Sequence, residues 1–212
     1  VTEYEIEPIP GLPGELPDGE RILWQGSPDW RVLARTAFHT RLIAGYFAAL
    51  TAVALVMALS SGGYVGVVMT ATLGIVGVAL LHLLAWGSAR TTMYTLTNRR
   101  VVMRIGIAVP KCINLPLGMI ASVDLALRIG NTGDVSLAPL GSPTLGYLAL
   151  WPHARPWKVA APQPMLRSVA GAEAVATLVA RTCLAARPDG RIAAVVELHD
   201  ASMPVFAKAQ AA

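Results

Sequence analysis

Residues 42–59 (LIAGYFAALTAVALVMAL) form an uncharged run of 18 residues, and residues 65–86 (VGVVMTATLGIVGVALLHLLAW) form a second of 22. A helix needs roughly 20 apolar residues to cross a bilayer core of about 30 Å, so each run predicts one crossing. Only residues 60–64 (SSGGY) separate them, and so short a polar turn joins antiparallel neighbours. The pair therefore predicts a transmembrane hairpin. A soluble alternative, two buried helices of an all-α core, conflicts with the pattern. No charged residue stands between Arg41 and Arg90, whereas a globular helix normally keeps one polar face.

Charge gives the expected orientation. Arg31, Arg35 and Arg41 flank the first run; Arg90, Arg99, Arg100 and Arg104 follow the second; the turn carries none. The positive-inside rule then places both termini in the cytoplasm and the turn outside. Tyr64 and Trp86 suit the two interfaces of the second span. The mean hydropathy of +0.54, with 14% charged residues against about 25% in ordinary soluble domains, agrees with this.

Seven of the thirteen acids lie within the first 29 residues, against the single base Arg21. No acid follows until Asp124. Residues 1–28 thus read as an acidic, proline-rich arm, unlike a signal or transit peptide. Its charge suits an arm that covers the basic zone beyond it. Ser27-Pro28-Asp29 resembles a helix start, with Ser27 as N-cap and proline at the first helical position. The helix expected over 29–41 sets Arg31, Arg35 and His39 on one side, either as an interfacial helix facing anionic headgroups or as an extension of the first span.

After the second run the period becomes strand-like. Residues 92–96 and 101–105 predict a hairpin around Asn98, closed by Gly106. Further short runs lie at 112–115, 121–127, 134–137, 146–151 and 157–159, between turn signals at 130–134, 141–143 and Pro152. Residues 172–187 then read as an amphipathic helix with Val175, Leu178, Val179 and Thr182 on one face. About seven strands and a helix over 90–187 predict a small antiparallel barrel or sandwich closed by a C-terminal helix. Residues 188–212 read as a tail, with an extra strand possible at 191–198. The expected class is a membrane protein of α+β type.

The segment YTLTNRRVVMRIG at 94–106, with INLPLGMIASVDL at 113–125 and GDVSL at 133–137, resembles the bacterial PH-like domain that often follows paired membrane helices. The matching positions are Tyr94, the turn Thr97-Asn98-Arg99-Arg100, Gly106, and the strands at 115–117 and 120–125. The segment EPIPGLPGELPDGERILWQGSPDW at 7–30 narrows the likeness. It is similar to the start of the PuhB family, photosynthetic reaction-centre assembly proteins of purple bacteria. The resemblance implies a non-catalytic assembly factor with no catalytic residues to carry over. Its implied partners are reaction-centre subunits, above all the H subunit, and the LH1 antenna polypeptides.

The residues themselves carry little catalytic chemistry. There is no nucleophile elbow, Walker loop, zinc-protease or dinucleotide motif. Asp124 and Asp134 have no histidine near them in sequence. Cys112 and Cys183 read as small buried apolar residues, and with four scattered histidines they give no metal spacing. Bases beside the membrane without an aromatic platform argue against nucleic acid.

Three features remain as site candidates. His82, one turn before Trp86, is an ionisable residue within a membrane run. It suits either a hydrogen bond within the membrane or headgroup zone, or axial ligation of bacteriochlorophyll magnesium, with Trp86 on the same face. Gly66, Thr70 and Gly74 repeat every four residues, as do Ala44, Ala48 and Ala52. Such small stripes fit packing of the two spans on each other, or docking to a client helix or a second copy. Arg99 and Arg100 suit either anionic lipid or acidic groups on a client.

Overall fold

The computed structural model describes residues 11–12, 14–128, 130–141 and 146–187. The expected strand at 191–198 and the tail lie outside the described residues. The chain divides into two units, Trp30–Arg90 and a second formed by Val1–Asp29 with Thr91–Ala212.

The first unit is helical. A short helix α1 (Trp30–Thr36) precedes α2 (Thr40–Ser61) and α3 (Val65–Thr91). The approach helix is thus shorter than the expected 29–41. It stops because His39, at φ +50°, leaves the right-handed helical region before α2 begins. Leu33, Ala34 and Phe38 pack with Ala85 and Ala89, which ties α1 to the end of α3, and leaves Arg31, Arg35 and His39 exposed as a set. At 22 and 27 residues, α2 and α3 overrun the predicted spans and reach about 33 and 40 Å at 1.5 Å per residue. Gly62 ends α2 in the left-handed region at φ +74°, its N–H closing on the Ala58 carbonyl, so the turn needs only a few residues. The apolar side chains of both helices point outward: only 6% of the most apolar window of each is buried. Both helices are long and apolar enough to cross a membrane, and this outward apolar surface is the reverse of a soluble core helix.

The second unit holds two antiparallel sheets. One, in order β1-β2-β3-β4, comprises Ile22–Gly26, Met93–Thr97, Arg100–Ile105 and Lys111–Pro116. The other, in order β5-β6-β7, comprises Ile120–Arg128, Thr132–Pro139 and Met165–Ala170. A single 3-10 turn (Leu117–Met119) passes from one sheet to the other. Alternate residues face the core: Tyr94 and Leu96, Val101 and Met103, Ile113 and Leu115, Val123 and Leu125, Val135 and Leu137. The last helix, α5 (Ala172–Ala185), lies on β5 and β6 and buries Ala172, Val175, Ala176, Val179, Ala180 and Cys183.

Five strands stand where the sequence predicts them, and several details differ. The sheets form a two-layer arrangement, and barrel closure is not seen. Residues 146–151 and 157–159 are not strands. Tyr147–Leu150 makes one helical turn, α4, and the chain beyond pairs just ahead of β7 in an isolated bridge of Ala154 with Pro164, because Pro152 and Pro156 lack the N–H groups that a longer ladder needs. Two strands come instead from places without an alternating signal, Ile22–Gly26 and Met165–Ala170. The first lies within the expected arm, so the domain expected over 90–187 also takes in residues of the N-terminal segment. Residues 11–12 cover the outer face of the first sheet, where Gly11 rests on Met93 and Leu12 is buried. Thr95, Thr97 and Val102 are consequently buried on that face too. On α5, Cys183 rather than Thr182 enters the core; the Thr182 hydroxyl turns back to the Leu178 carbonyl. Cys112, expected to be buried, is exposed, because it lies on the solvent side of the edge strand β4.

Candidate functional site

The turn Thr97-Asn98-Arg99-Arg100 between β2 and β3 is spent on the N-terminal segment. The Thr97 hydroxyl oxygen accepts the N–H groups of Arg99 and Arg100, at 3.1 and 3.0 Å, which shapes the turn. Arg100 donates Nε and Nη2 to the two oxygens of Glu20, at 2.8 and 3.0 Å, and the Thr97 hydroxyl lies 2.8 Å from Glu20 Oε1. Asn98 donates to the Gly19 carbonyl and accepts the Arg21 N–H, while Arg99 donates to the Asp18 carbonyl. Burial alone would raise the Glu20 carboxyl. The bonds from Arg100 and Thr97 and the charges of Arg100 and Arg99 outweigh it and hold the group below the usual carboxylate range. Arg100 thus directs its guanidinium to a carboxylate of its own chain. Arg99 stays exposed with its head tethered. Two of the basic residues, Arg99 and Arg100, thus meet the N-terminal segment, through the Asp18 carbonyl and the Glu20 carboxylate.

The small residues of α3 turn toward α2. Thr70 Oγ1 is 3.3 Å from Thr51 Oγ1, Gly66 faces Ala54, and a methyl at Gly74 would lie 2.7 Å from Phe47 Cβ. The absent side chain at Gly74 is what admits Phe47. Thr70 and Gly74 thus meet α2 within the hairpin, while Ala44, Ala48 and Ala52 line, together with Gly74, an open apolar groove of about 720 Å³.

His82 is half-buried on α3. Its Nδ1 lies 2.8 Å from the Val78 carbonyl, which can only accept, so Nδ1 carries a proton and Nε2 is the ring nitrogen not engaged by that carbonyl. The ring meets Trp30 edge-on at 6.5 Å, while Trp86 packs beneath Arg90. The aromatic ring that His82 meets is Trp30 of α1, while Trp86 lies one turn further along α3.

A sealed polar cluster in the sheet unit has no counterpart in the sequence-based expectations. Tyr94 accepts the Arg167 N–H at 3.2 Å and so directs its own proton to His153 Nδ1, at 2.7 Å. His153 Nε2–H then faces Thr92 Oγ1 at 3.1 Å. Arg167 Nη1 donates to the Pro152 carbonyl. Asp134 accepts the Ser168 N–H on one oxygen and two bonds from Arg128 on the other. Burial, with the Arg167 charge second, pushes His153 down to about 3. Burial raises the Tyr94 phenol and lowers the Arg167 guanidinium. Tyr94 and His153 are wholly inaccessible. The cluster locks β2, the segment around Pro152 and β7 together. Asp124 pairs with Arg155, so both aspartates singled out in the sequence are held in ion pairs. Among the described residues no group of three or more His, Cys, Asp or Glu could hold a metal.

Only one sequence signal pointed toward these unforeseen residues. The threonine and arginines of TNRR mark a turn, but Glu20 lies 80 positions from Arg100 and nothing in the sequence pairs them. His153, between prolines and tryptophans, reads as a loop residue.

Paired apolar helices, each long enough to cross a membrane, lead into two antiparallel sheets and a C-terminal helix and define a PH-like protein, and the bacterial PH domain family model matches residues 40–182. The chain belongs to the bacterial PH domain family. It is also similar to a Rhodobacter capsulatus protein described as an uncharacterized 23.7 kDa protein in the puhA 5' region, at 38% identity over 191 residues, covering 86% of this chain and 88% of the relative. That likeness agrees with the PuhB-family resemblance of the N-terminal segment. No solved structure matches the chain significantly.

Proposed function

We propose that this protein is a non-catalytic, membrane-anchored assembly factor for the bacterial photosynthetic reaction centre, with indirect effects on its antenna. The observation that carries this reading is the near full-length likeness to a protein whose name places it beside puhA. The outward apolar faces of α2 and α3 suit residence among newly inserted helices, in an inner membrane with both termini cytoplasmic. The groove lined by Ala44, Ala48 and Ala52 admits a close helix neighbour, from a reaction-centre subunit, an antenna polypeptide or a second copy. The sheet unit supplies the surface for a largely cytoplasmic partner such as the H subunit. The test is deletion of the gene, with reaction-centre content read from light-induced bleaching. Lowered content restored by the gene in trans supports the proposal; unchanged content removes it.

A second reading rests on His82. Its Nδ1–H is donated to a carbonyl, the arrangement in which the other ring nitrogen serves as an axial ligand. The residue would then hold the magnesium of a bacteriochlorophyll in transit. Pigment absorbance in the gently purified protein, lost in His82→Ala, supports this; pigment retained by the variant, or absent from both, refutes it.

A further inference from the structure

We propose that the segment between β6 and β7, from Leu148 to Val159, is a bilayer-inserting anchor of the PH-like domain. Its outer surface is largely apolar, although Leu150 and Ala154 turn into the core. Leu148, Trp157 and Val159 are 86%, 94% and 64% exposed and Trp151 is 48% exposed, while the one histidine of the segment is wholly buried. An ordinary surface loop turns its polar side chains to water and its apolar ones inward.

The apolar side chains are held out from a fixed base. The Met165 N–H donates to the His153 carbonyl at 2.9 Å, the Arg155 N–H donates to the Gln163 carbonyl at 2.9 Å, and Arg167 holds the Pro152 carbonyl at 2.8 Å. Arg155 is paired with Asp124. Trp157, at φ +64°, has a backbone conformation that a bulky residue seldom adopts and that persists only where its surroundings impose it. A rigid excursion of this kind inserts without an ordering cost.

Three observations select a lipid surface as the occupant. No acid lies between Asp134 and Glu173, whereas the exposed Lys158 sits beside Trp157, the composition that favours an anionic headgroup layer. Tryptophan partitions to the membrane interface, with its ring among the acyl chains and its N–H among polar groups. The root of the segment is also bonded to the start of the domain: His153 Nε2 lies 3.1 Å from Thr92, the first residue after α3. Tethering through that residue gives the segment a high effective concentration of bilayer. The inference rests on α2 and α3 crossing the membrane.

The test uses the full chain in nanodiscs of phosphatidylcholine and phosphatidylglycerol, with Cys112→Ser and Cys183→Ala. An environment-sensitive fluorophore is placed singly at Trp157→Cys, Leu148→Cys or, within α2, Val53→Cys. Doxyl-labelled lipid and aqueous iodide serve as quenchers. Insertion predicts blue-shifted emission at 157 and 148, lost on adding doxyl lipid and protected from iodide, with the same behaviour at 53. Lipid quenching at 53 with iodide-sensitive labels at 157 and 148 overturns the anchor and leaves the membrane helices standing. Loss of lipid quenching at 53 overturns both. Labels at 157 and 148 that stay wet in lipid, and become shielded only when a solubilised membrane protein is added, also overturn it in favour of a protein partner.

Discussion

Acidification should weaken the sheet unit through one residue. His153 titrates near 6.5 in an unfolded chain but is pushed down to about 3 in the fold, first by burial and then by the charge of Arg167. Between those values the unfolded chain takes up a proton that the folded chain refuses, so stability is complete above 6.5 and falls with the pH below it. One pKa unit corresponds to about 1.4 kcal/mol, so lowering the pH from 7 to 5 should remove about 2 kcal/mol. The measurement is denaturant unfolding of the full chain in nanodiscs, followed by tryptophan emission, at several values in that window. His153→Gln, which retains hydrogen-bonding groups and cannot titrate, supplies the baseline slope for every other group. Glu20 does not interfere, because its lowered carboxyl titrates below 4.5. Equal slopes for wild type and variant would refute the reasoning, as would a histidine resonance at 153 that titrates near 6.5.

Arg100→Ala should cost about 2 kcal/mol and make residues 14–26 cleavable by protease, since it strands a Glu20 side chain that is only 2% exposed; Thr97 retains one bond and moderates the loss. Because the Glu20 value is lowered in the fold, the Glu20–Arg100 pair is complete above 4.5 and opens as the pH falls through that lowered value, and cleavage of the wild-type arm should rise there. Gly74→Leu should destabilise the helical hairpin by about 1–3 kcal/mol by overpacking Phe47, read as lost disulfide cross-linking between Thr51→Cys and Thr70→Cys. Maleimide should label Cys112 readily and Cys183 only after unfolding, because burial both covers the Cys183 thiol and pushes it up to about 11.

What the sequence disclosed follows from how local each signal is. The two apolar runs carry their meaning within some 20 residues, and β2 and β3 meet across a tight turn, so all four elements are legible without a structure. β1 is not: ILWQG is five residues between glycine and proline signals, and its partner Met93–Thr97 lies beyond both long helices. The same distance conceals the Glu20–Arg100 pair. Residues 146–159 mislead for another reason. Their apolar content resembles that of strands, but Leu148, Trp151, Trp157 and Val159 point outward, and composition cannot tell a buried apolar side chain from one held in the open. His82 was legible as an unusual residue, whereas its neighbour Trp30 follows only from the packing of α1 on α3.

The first strand of the sheet is synthesised before the two long helices, and its hydrogen-bonding partner after them. Where α2 and α3 both cross a membrane, Ile22–Gly26 waits with an unpaired edge until both helices have been made and the chain has returned to the side from which it left. If only one helix crossed, β1 and β2 would emerge on opposite faces of the bilayer and the sheet would never close. On that topology closure of the sheet requires both crossings, and a chain that threads only one helix leaves a sheet edge open.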